Sequence, residues 1–430
     1  MKIGIIGGGL TGLVTAFRLG KRGHQVTIFE AEDKLGGLLA TVSIGGERVE
    51  KFYHHIFTHD KEIIDLIEEL KLSSKLKWHS VSNAVISKGN IYPFSSATDV
   101  LKFSQLTLLD RLSLGLLIYK ASKIRHEKSL SQTSVKEWVT ENAGTKVYEL
   151  FFRPILLSKF GTEASLISAA WLVNKLKLRA STRKSIFGSE VLGYLDGGFV
   201  KITEKLASEI KKMGGKIFLK NQVSKISQSP DGGLRIFTNG KSHTFDRVIV
   251  TTSPEILLTL AKKLPPRYVN QLKKIQYKAN ICLLLQLQRK ITPYYWMTIT
   301  EEGSPFVAMI EHTNMISKQR YGTNLLYLTK YISHRDPLFL STDDSIKNIF
   351  VNYLGKIVPD FQKSDIGKIH VSRTRYAQPV IKIGYSKIRP EFKTPIKNLY
   401  LASMAQIYPQ DRGQNYAIRQ GNQIADLVAK

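Results

Sequence analysis

Gly7, Gly9 and Gly12 stand at GxGxxG spacing, directly after the β-branched apolar run Lys2 to Ile6 and at the start of Leu10 to Leu19, where apolar residues recur at helical spacing. A strand that turns on glycine into a helix offers free backbone N–H groups and the positive end of the helix dipole to an anion. Gly7 then permits the tight turn. Gly9 lets the backbone approach a pyrophosphate with no Cβ in the way, and Gly12 lets the helix lie against the strand. Gly8, Leu10 and Thr11 complete this set of candidate cofactor-binding residues. Glu30 closes the next apolar run, Gln25 to Phe29, where a carboxylate accepts hydrogen bonds from ribose hydroxyls and repels a 2′-phosphate. Gly36 and Gly37, with Ala31 before them and Leu38 after, suit a loop passing tightly beside a dinucleotide. Alone, the three glycines describe a turn before an amphipathic helix; the strand, the helix and the acid around them point to an adenine-containing coenzyme.

The remaining chemistry is thinner. His55, in Tyr53-His54-His55-Ile56-Phe57-Thr58, titrates near neutrality and suits proton shuttling, although a loop histidine without a role fits the same residues. Asp411-Arg412-Gly413-Gln414-Asn415 precedes a closing helical pattern whose positive end can face an anion, and it equally describes an ordinary capped helix. Two basic runs stand out: Lys120, Lys123, Arg125, Lys128, and Lys175, Lys177, Arg179, Arg183, Lys184. Such runs are usually solvated helix faces. The first, beside Leu114 to Tyr119, also suits an amphipathic helix on an anionic bilayer.

The elements that must position these residues fall into three groups. Lys2 to Glu30 reads as a βαβ start, and strands recur at Lys216 to Leu219, Gln222 to Ile226, Leu234 to Thr238, Arg247 to Thr251 and Asn398 to Ala402. Gly413 to Ala429 reads as the closing helix, with Ala417, Gly421 and Ala425 on one face suited to close packing on a sheet. From about Tyr92 to Arg183 the pattern is helical, with long stretches over Val100 to Ile118 and Ser134 to Leu157. After Pro265-Pro266, strands at Ile281 to Leu287, Pro305 to Glu311, Leu325 to Tyr331 and Lys368 to Arg373 form a second sheet. The expected division is 1–80, 190–266 and 392–430 for a discontinuous dinucleotide-binding domain, 81–189 for a helical region and 267–391 for a substrate-domain sheet.

Composition sets outer limits. With 430 residues, 43% of them apolar, the chain builds more than one core and is too hydrophobic for disorder. Cys282 is the single cysteine, so intramolecular disulfides, cysteine-rich zinc sites and CxxC redox pairs are excluded, and a reducing, cytoplasmic compartment is expected. The net charge of +28 favours some polyanion. Nucleic acid is disfavoured, because no recognition motif or interleaved aromatic platform accompanies the basic runs. No apolar run approaches the roughly 20 residues that cross a bilayer, and Arg18 and the glycines break any export signal.

On the runs Ile5 to Gly12 and Glu30 to Gly37, the chain resembles the two-dinucleotide-binding-domain flavoproteins: flavin amine oxidases, protoporphyrinogen oxidases, phytoene desaturases and UDP-galactopyranose mutases. Weaker similarity continues through Leu192 to Gly198, Val223, Val248 to Pro254 with Thr251, and Arg375 to Pro379 with Tyr376. The resemblance implies an α/β fold: a Rossmann-type FAD-binding domain with a mixed-sheet substrate domain and a helical insertion. Val223 falls where the family's backbone meets adenine. Ser403, Arg412, Gly413 and Asn415 fall near the flavin, and Tyr376 and His55 are the catalytic candidates. The pattern departs in three places. Leu38 replaces a frequent arginine, Ala402-Ser403-Met404 lacks the usual acid, and Asn280-Ile281 stands where amine oxidases have a lysine. With no cysteine near the C-terminus to link flavin, noncovalent FAD is expected and amine oxidation is disfavoured.

The implied activity is an FAD-dependent oxidoreductase of protoporphyrinogen oxidase or desaturase type, taking two electrons from a small hydrophobic substrate by hydride transfer to flavin N5. His55 matches the flavin-side histidine of UDP-galactopyranose mutases, so a redox-neutral sugar-nucleotide isomerase is the alternative. A flavin-binding assembly partner without turnover is a third class. The oligomeric state is left open.

Overall fold

Lys2–Ile6 is the central strand of a five-stranded, wholly parallel sheet in the computed structural model, which describes residues 1–181 and 190–430. Across the sheet the order is Lys216–Phe218, Gln25–Phe29, Lys2–Ile6, Arg247–Val250 and Leu399–Leu401. A parallel sheet is covered on both faces, which is why its strands are short and largely apolar, β-branched in Lys2–Ile6, Gln25–Phe29 and Arg247–Val250. One face is covered by the helices Leu10–Gly20, Val200–Lys212 and Gln414–Ala429. On the other, an antiparallel sheet of Val223–Gln228, Leu234–Thr238 and Lys241–Phe245 presses Ile236 and Phe245 onto Gly4, where a Cβ would come within 2.8 Å of both. The small face of the last helix packs on another helix rather than on a sheet. A Cβ on Gly421 would approach Val14 at 2.8 Å and Thr11 O at 3.1 Å.

The second sheet is mixed and has seven strands, ordered Ile366–Pro379, Tyr277–Leu287, Asn324–Ile332, Ala308–Glu311, Trp296–Ile299, Asn83–Ser87 and Asn90–Pro93. Its last two members come from the stretch expected to be helical. Asn83–Ser87 pairs in parallel with Trp296–Ile299, so the helical body starts at Ala97 and not at 81. Ile56–Phe57, Glu190–Leu195 and Leu76–Val81 form a small antiparallel sheet between the two large ones.

The helical body divides more finely than its periodicity suggested. Capping boxes at Ser96/Asp99, Thr107/Asp110 and Ser134/Glu137 each start a new helix. Val100 to Ile118 is therefore split between Ala97–Lys102 and Leu108–Lys123. Gly144, at φ 92°, ends Val135–Ala143 inside the second stretch. The body has its own core around Trp138, Phe151, Phe160 and Trp171. Among the described residues no helix is long and apolar enough to cross a membrane.

Candidate functional site

The turn after Lys2–Ile6 has the geometry its glycines implied. Gly7 sits at φ 108°, a left-handed conformation that favours glycine. A Cβ on Gly12 would lie 2.1 Å from Gly7 O, so only hydrogen lets the helix meet the strand. A Cβ on Gly9 would find nothing within 4 Å: the protein leaves open space at the helix start, where a dinucleotide backbone fits. Thr251 Oγ1 donates to Ile6 O at 3.0 Å and Gly7 O at 3.1 Å, tying the turn to the neighbouring strand. The glycine pair comes alongside: Gly36 N donates to Gly8 O at 2.9 Å, Gly36 and Gly37 have φ of 115° and 56°, and Leu38 sits in the short helical turn that follows.

Glu30 is nine-tenths buried. It accepts Gly8 N at 2.6 Å on Oε2 and Glu32 N at 2.9 Å on Oε1, so the carboxylate expected to meet ribose hydroxyls also braces the glycine turn. Each oxygen keeps a lone pair for a ribose hydroxyl. Asn221 N donates to Glu30 O at 2.8 Å, which brings the start of the Val223 strand beside the same acid; Ala31 is exposed next to it. Gly8 and Leu10 are buried in the turn, and Thr11 Oγ1 donates to Ala417 O at 3.2 Å, joining the first and last helices near their starts.

That link brings the C-terminal candidates to the same side. Asn415 Oδ1 accepts Ile63 N at 3.2 Å, and Gly413 is exposed just ahead of the helix start. Gln414 is buried with both side-chain polar atoms unpaired, an orphan at a positive helix end where a polar ring edge suits it. Ser403 is fixed through its backbone: Ser403 N donates to Gln406 Oε1 at 2.7 Å and Ser403 O accepts Gln420 Nε2 at 2.8 Å. These residues suit an FAD: Gly9 would receive its pyrophosphate, Glu30 a ribose hydroxyl and Gln414 a polar group of the ring.

The two catalytic candidates have separate surroundings. His55 Nδ1 lies 3.0 Å from Tyr295 OH, and its ring packs edge-on against Phe57, Tyr295 and Trp296. Burial pulls its pKa down to about 4, so it is neutral at physiological pH. Tyr376, on Ile366–Pro379, packs edge-on against Tyr277 at 5.6 Å under the Arg375 guanidinium. Burial raises its hydroxyl, which is turned towards Ser253 and Glu255.

A second cluster joins Arg412, expected near the flavin, and Asp411 beside it to Lys159 and Lys175 of the helical body, a grouping the spacing did not show. Arg412 donates to Tyr331 OH at 2.5 Å, and Tyr331 OH lies 3.2 Å from Tyr53 OH. Next to it, Asp411 Oδ2 accepts Lys159 Nζ at 2.8 Å and Lys175 Nζ at 2.9 Å. Lys175 was expected on a solvated face and turns inward instead. Lys177 is also engaged, donating to Glu127 at 2.6 Å, while Arg183 and Lys184 lie outside the described residues. The loop from Asp411 is shared by the nucleotide domain, the substrate sheet and the helical body, which explains why linear spacing hid it.

A parallel sheet with a glycine cradle, joined to a mixed sheet and a helical body, is an α/β architecture of the kind that flavoproteins use. The sequence profile of the flavin containing amine oxidoreductase family matches residues 10–429, and the chain belongs to that family as an FAD-dependent oxidoreductase. It is 26% identical to the chloroplastic/chromoplastic 15-cis-phytoene desaturase of Arabidopsis thaliana, over 94% of this chain and 75% of that one. Among solved structures, a putative protoporphyrinogen oxidase from Exiguobacterium sp. 255-15 superposes with a TM-score of 0.80 at 17% identity, covering 99% of this chain and 98% of that one. A reduced UDP-galactopyranose mutase does so with a TM-score of 0.77 at 18% identity, covering 100% and 95%.

Proposed function

We propose that the protein takes two electrons from an apolar substrate held in a lipid phase, in the manner of a desaturase or protoporphyrinogen oxidase, using noncovalently bound FAD. The observation that carries this reading is the helix Leu108–Lys123. Leu108, Leu109, Leu112, Leu116 and Tyr119 are 51–76% exposed. At about 100° per residue they share an arc of about 100°. Leu114 and Leu117 lie on the opposite side, buried in the helical body, so the apolar surface is offset from the Leu114-to-Tyr119 face expected. Lys123 lies over Tyr119 at the end of the exposed face, with Lys120 and Arg125 beside it. Leucines rimmed by cations match the interface of an anionic bilayer.

Bound FAD supplies a two-electron acceptor, which no amino-acid side chain provides. The protein supplies position and dryness. Tyr53, Trp296 and Phe57 form an aromatic wall around His55, which stays neutral and so adds no charge to apolar surroundings. Cys282 is fully buried on an inner strand with its thiol pushed up to about 12, which favours a flavin held without a thioether.

The test is anaerobic mixing of the flavin-loaded protein with isoprenoid polyenes or porphyrinogens in phosphatidylglycerol vesicles. Bleaching of the flavin band near ~450 nm is expected, with Leu112→Asp/Leu116→Asp abolishing co-sedimentation and slowing the bleaching. A flavin that none of these substrates reduces overturns the reading. The His55 segment favours the mutase alternative, and turnover of UDP-sugars only after dithionite reduction would replace the oxidase reading with it.

A further inference from the structure

We propose that the substrate carries one oxyanion, a carboxylate or a phosphate ester, which docks on Lys159 and Lys175 beside Asp411 and Arg412. The inference deepens the reading above and rests on it: the body of the substrate is apolar and its head is charged.

The argument is one of charge balance in a buried place. Lys159, Lys175 and Arg412 surround the single carboxylate of Asp411. The side chains of Lys159 and Asp411 are only 14% and 19% exposed, and that of Lys175 33%. A structural ion pair balances one cation with one anion, because an uncompensated charge away from water is costly. Among the described residues of this cluster, Lys175 and Arg412 already exceed the charge of Asp411 by one, and by two when Lys159 is protonated. Residues 182–189, outside the described set, contain no acidic residue, and the buried Glu190 that follows them acts on His55 together with Arg179 and Lys175.

The surroundings hold the cations without neutralising them. Lys159 Nζ lies 4.9 Å from the centroid of Trp171 and 5.7 Å from that of Tyr331, and Lys175 Nζ lies 5.1 Å from that of Trp171. Two donors in the same cluster are buried and lack an acceptor, the Trp171 indole N–H and Arg412 Nε. Unused donors beside excess cations are what an oxyanion satisfies. Burial holds the Lys159 ammonium well below its usual range, with Asp411 pulling the other way, so a second anion there would favour its charged form.

The location makes the head group a positioning device. Lys159 and Lys175 lie on the helices Arg153–Phe160 and Ala169–Ser181, Tyr331 on the substrate sheet, and Asp411 and Arg412 on the loop that enters the last helix. An anchor at this junction fixes the reach of an apolar chain towards the aromatic wall at Tyr53 and Trp296.

The test uses decanoate, decyl phosphate and uncharged decanol as probes on the FAD-loaded protein, read by thermal shift and by the flavin spectrum. Each anion whose class the site takes should bind about tenfold or more tightly than decanol, and comparison of the two identifies the head group. Lys159→Met/Lys175→Met should bring all three probes within about threefold while FAD content stays unchanged. If the double variant does not fold, Lys175→Gln, altered at the more exposed lysine, should lose most of the discrimination. Equal binding of decanol by the native protein overturns the proposal. Loss of FAD with discrimination intact assigns the cations to the cofactor and also overturns it. UDP binding about tenfold tighter than decyl phosphate replaces the apolar body with a sugar nucleotide. Thermal shifts repeated on FAD-free protein keep this result separate: failure to bind flavin sinks the proposed function, while anion discrimination still decides the inference.

Discussion

Two glycines three positions apart should respond in opposite ways to the same added methyl group. At Gly12 the new carbon would lie 2.1 Å from Gly7 O and 3.0 Å from Thr251 Oγ1, both fixed by the sheet. A carbon 2.1 Å from a backbone oxygen is more than 1 Å inside normal contact, so strand or helix must move. Overpacking of this kind costs about 1–3 kcal/mol and here falls at or above the upper end, because the obstacle is backbone. At Gly9 the new carbon meets nothing within 4 Å, and φ is −73°, a value any residue adopts. Reduced freedom of the unfolded chain adds about 0.4–1 kcal/mol, and replacing glycine as a helix cap removes a similar amount. The fold should therefore not notice Gly9→Ala, but a pyrophosphate meant to lie against that backbone should. We expect Gly9→Ala to leave the melting temperature of the flavin-free protein within about 2 °C and to weaken FAD by at least about 100-fold, or about 2.7 kcal/mol. Gly12→Ala should lower the flavin-free melting temperature by several degrees. Thermal shift without FAD and quenching of FAD fluorescence on titration read the two effects separately. Unchanged FAD affinity in Gly9→Ala would refute the cradle, however the fold behaved.

Three further outcomes follow from buried polar groups. Glu30→Gln puts an amide N–H against Gly8 N–H or Glu32 N–H, where both carboxylate oxygens now accept, so FAD affinity should fall about tenfold or more by fluorescence titration; retention of full affinity would show that this bracing does not matter. Glu50 is 1% exposed and accepts Tyr194 OH and Phe199 N, each at 2.6 Å, so Glu50→Ala strands two buried donors and should cost about 3 kcal/mol in urea unfolding. His312 is 2% exposed, and burial, followed by the charges of Arg320 and His79, lowers its pKa to about 3. Between its ordinary value and about 3 only the unfolded chain takes up the proton, so stability is complete above about pH 6.5 and lost as the pH falls. His54 and His55 add in the same direction. His312→Gln should flatten the slope of unfolding free energy between pH 6 and 4 by up to about 1.4 kcal/mol per pH unit, and an unchanged slope in urea melts would reject the assignment.

What could be read from the chain before its structure was local chemistry. Gly7, Gly9, Gly12 and Glu30 act within one strand–turn–helix–strand unit, so their types and spacing already contain most of their geometry, down to the carbon-free space at Gly9. The parallel strands were legible for the same reason, since burial on both faces writes itself as a β-branched run. Asn83–Ser87 was not, because its sheet partner Trp296–Ile299 lies far along the chain, and Asn90–Pro93 joins that sheet only through its hairpin with Asn83–Ser87. The leucine face of Leu108–Lys123 was half legible. A helix with apolar residues on opposite sides shows little net amphipathicity, and only the packed structure says that Leu114 points in and Leu116 out.

Lys175 shows the limit most clearly. In sequence it is one cation of a run, and the general rule for such runs is a solvated helix face. Its inward turn depends on Asp411, 236 positions away, and on the ring of Trp171 one helical turn back. Residues at that spacing lie on the same helix face, so Trp171 and Lys175 could have been paired in advance, but their carboxylate could not. A basic run therefore has to be judged residue by residue in the folded chain. Lys177 spends its charge on Glu127, and Lys159 and Lys175 share one acid between two. Only the second arrangement leaves positive charge unanswered in a buried place, which is why a ligand is sought there and not along the run as a whole.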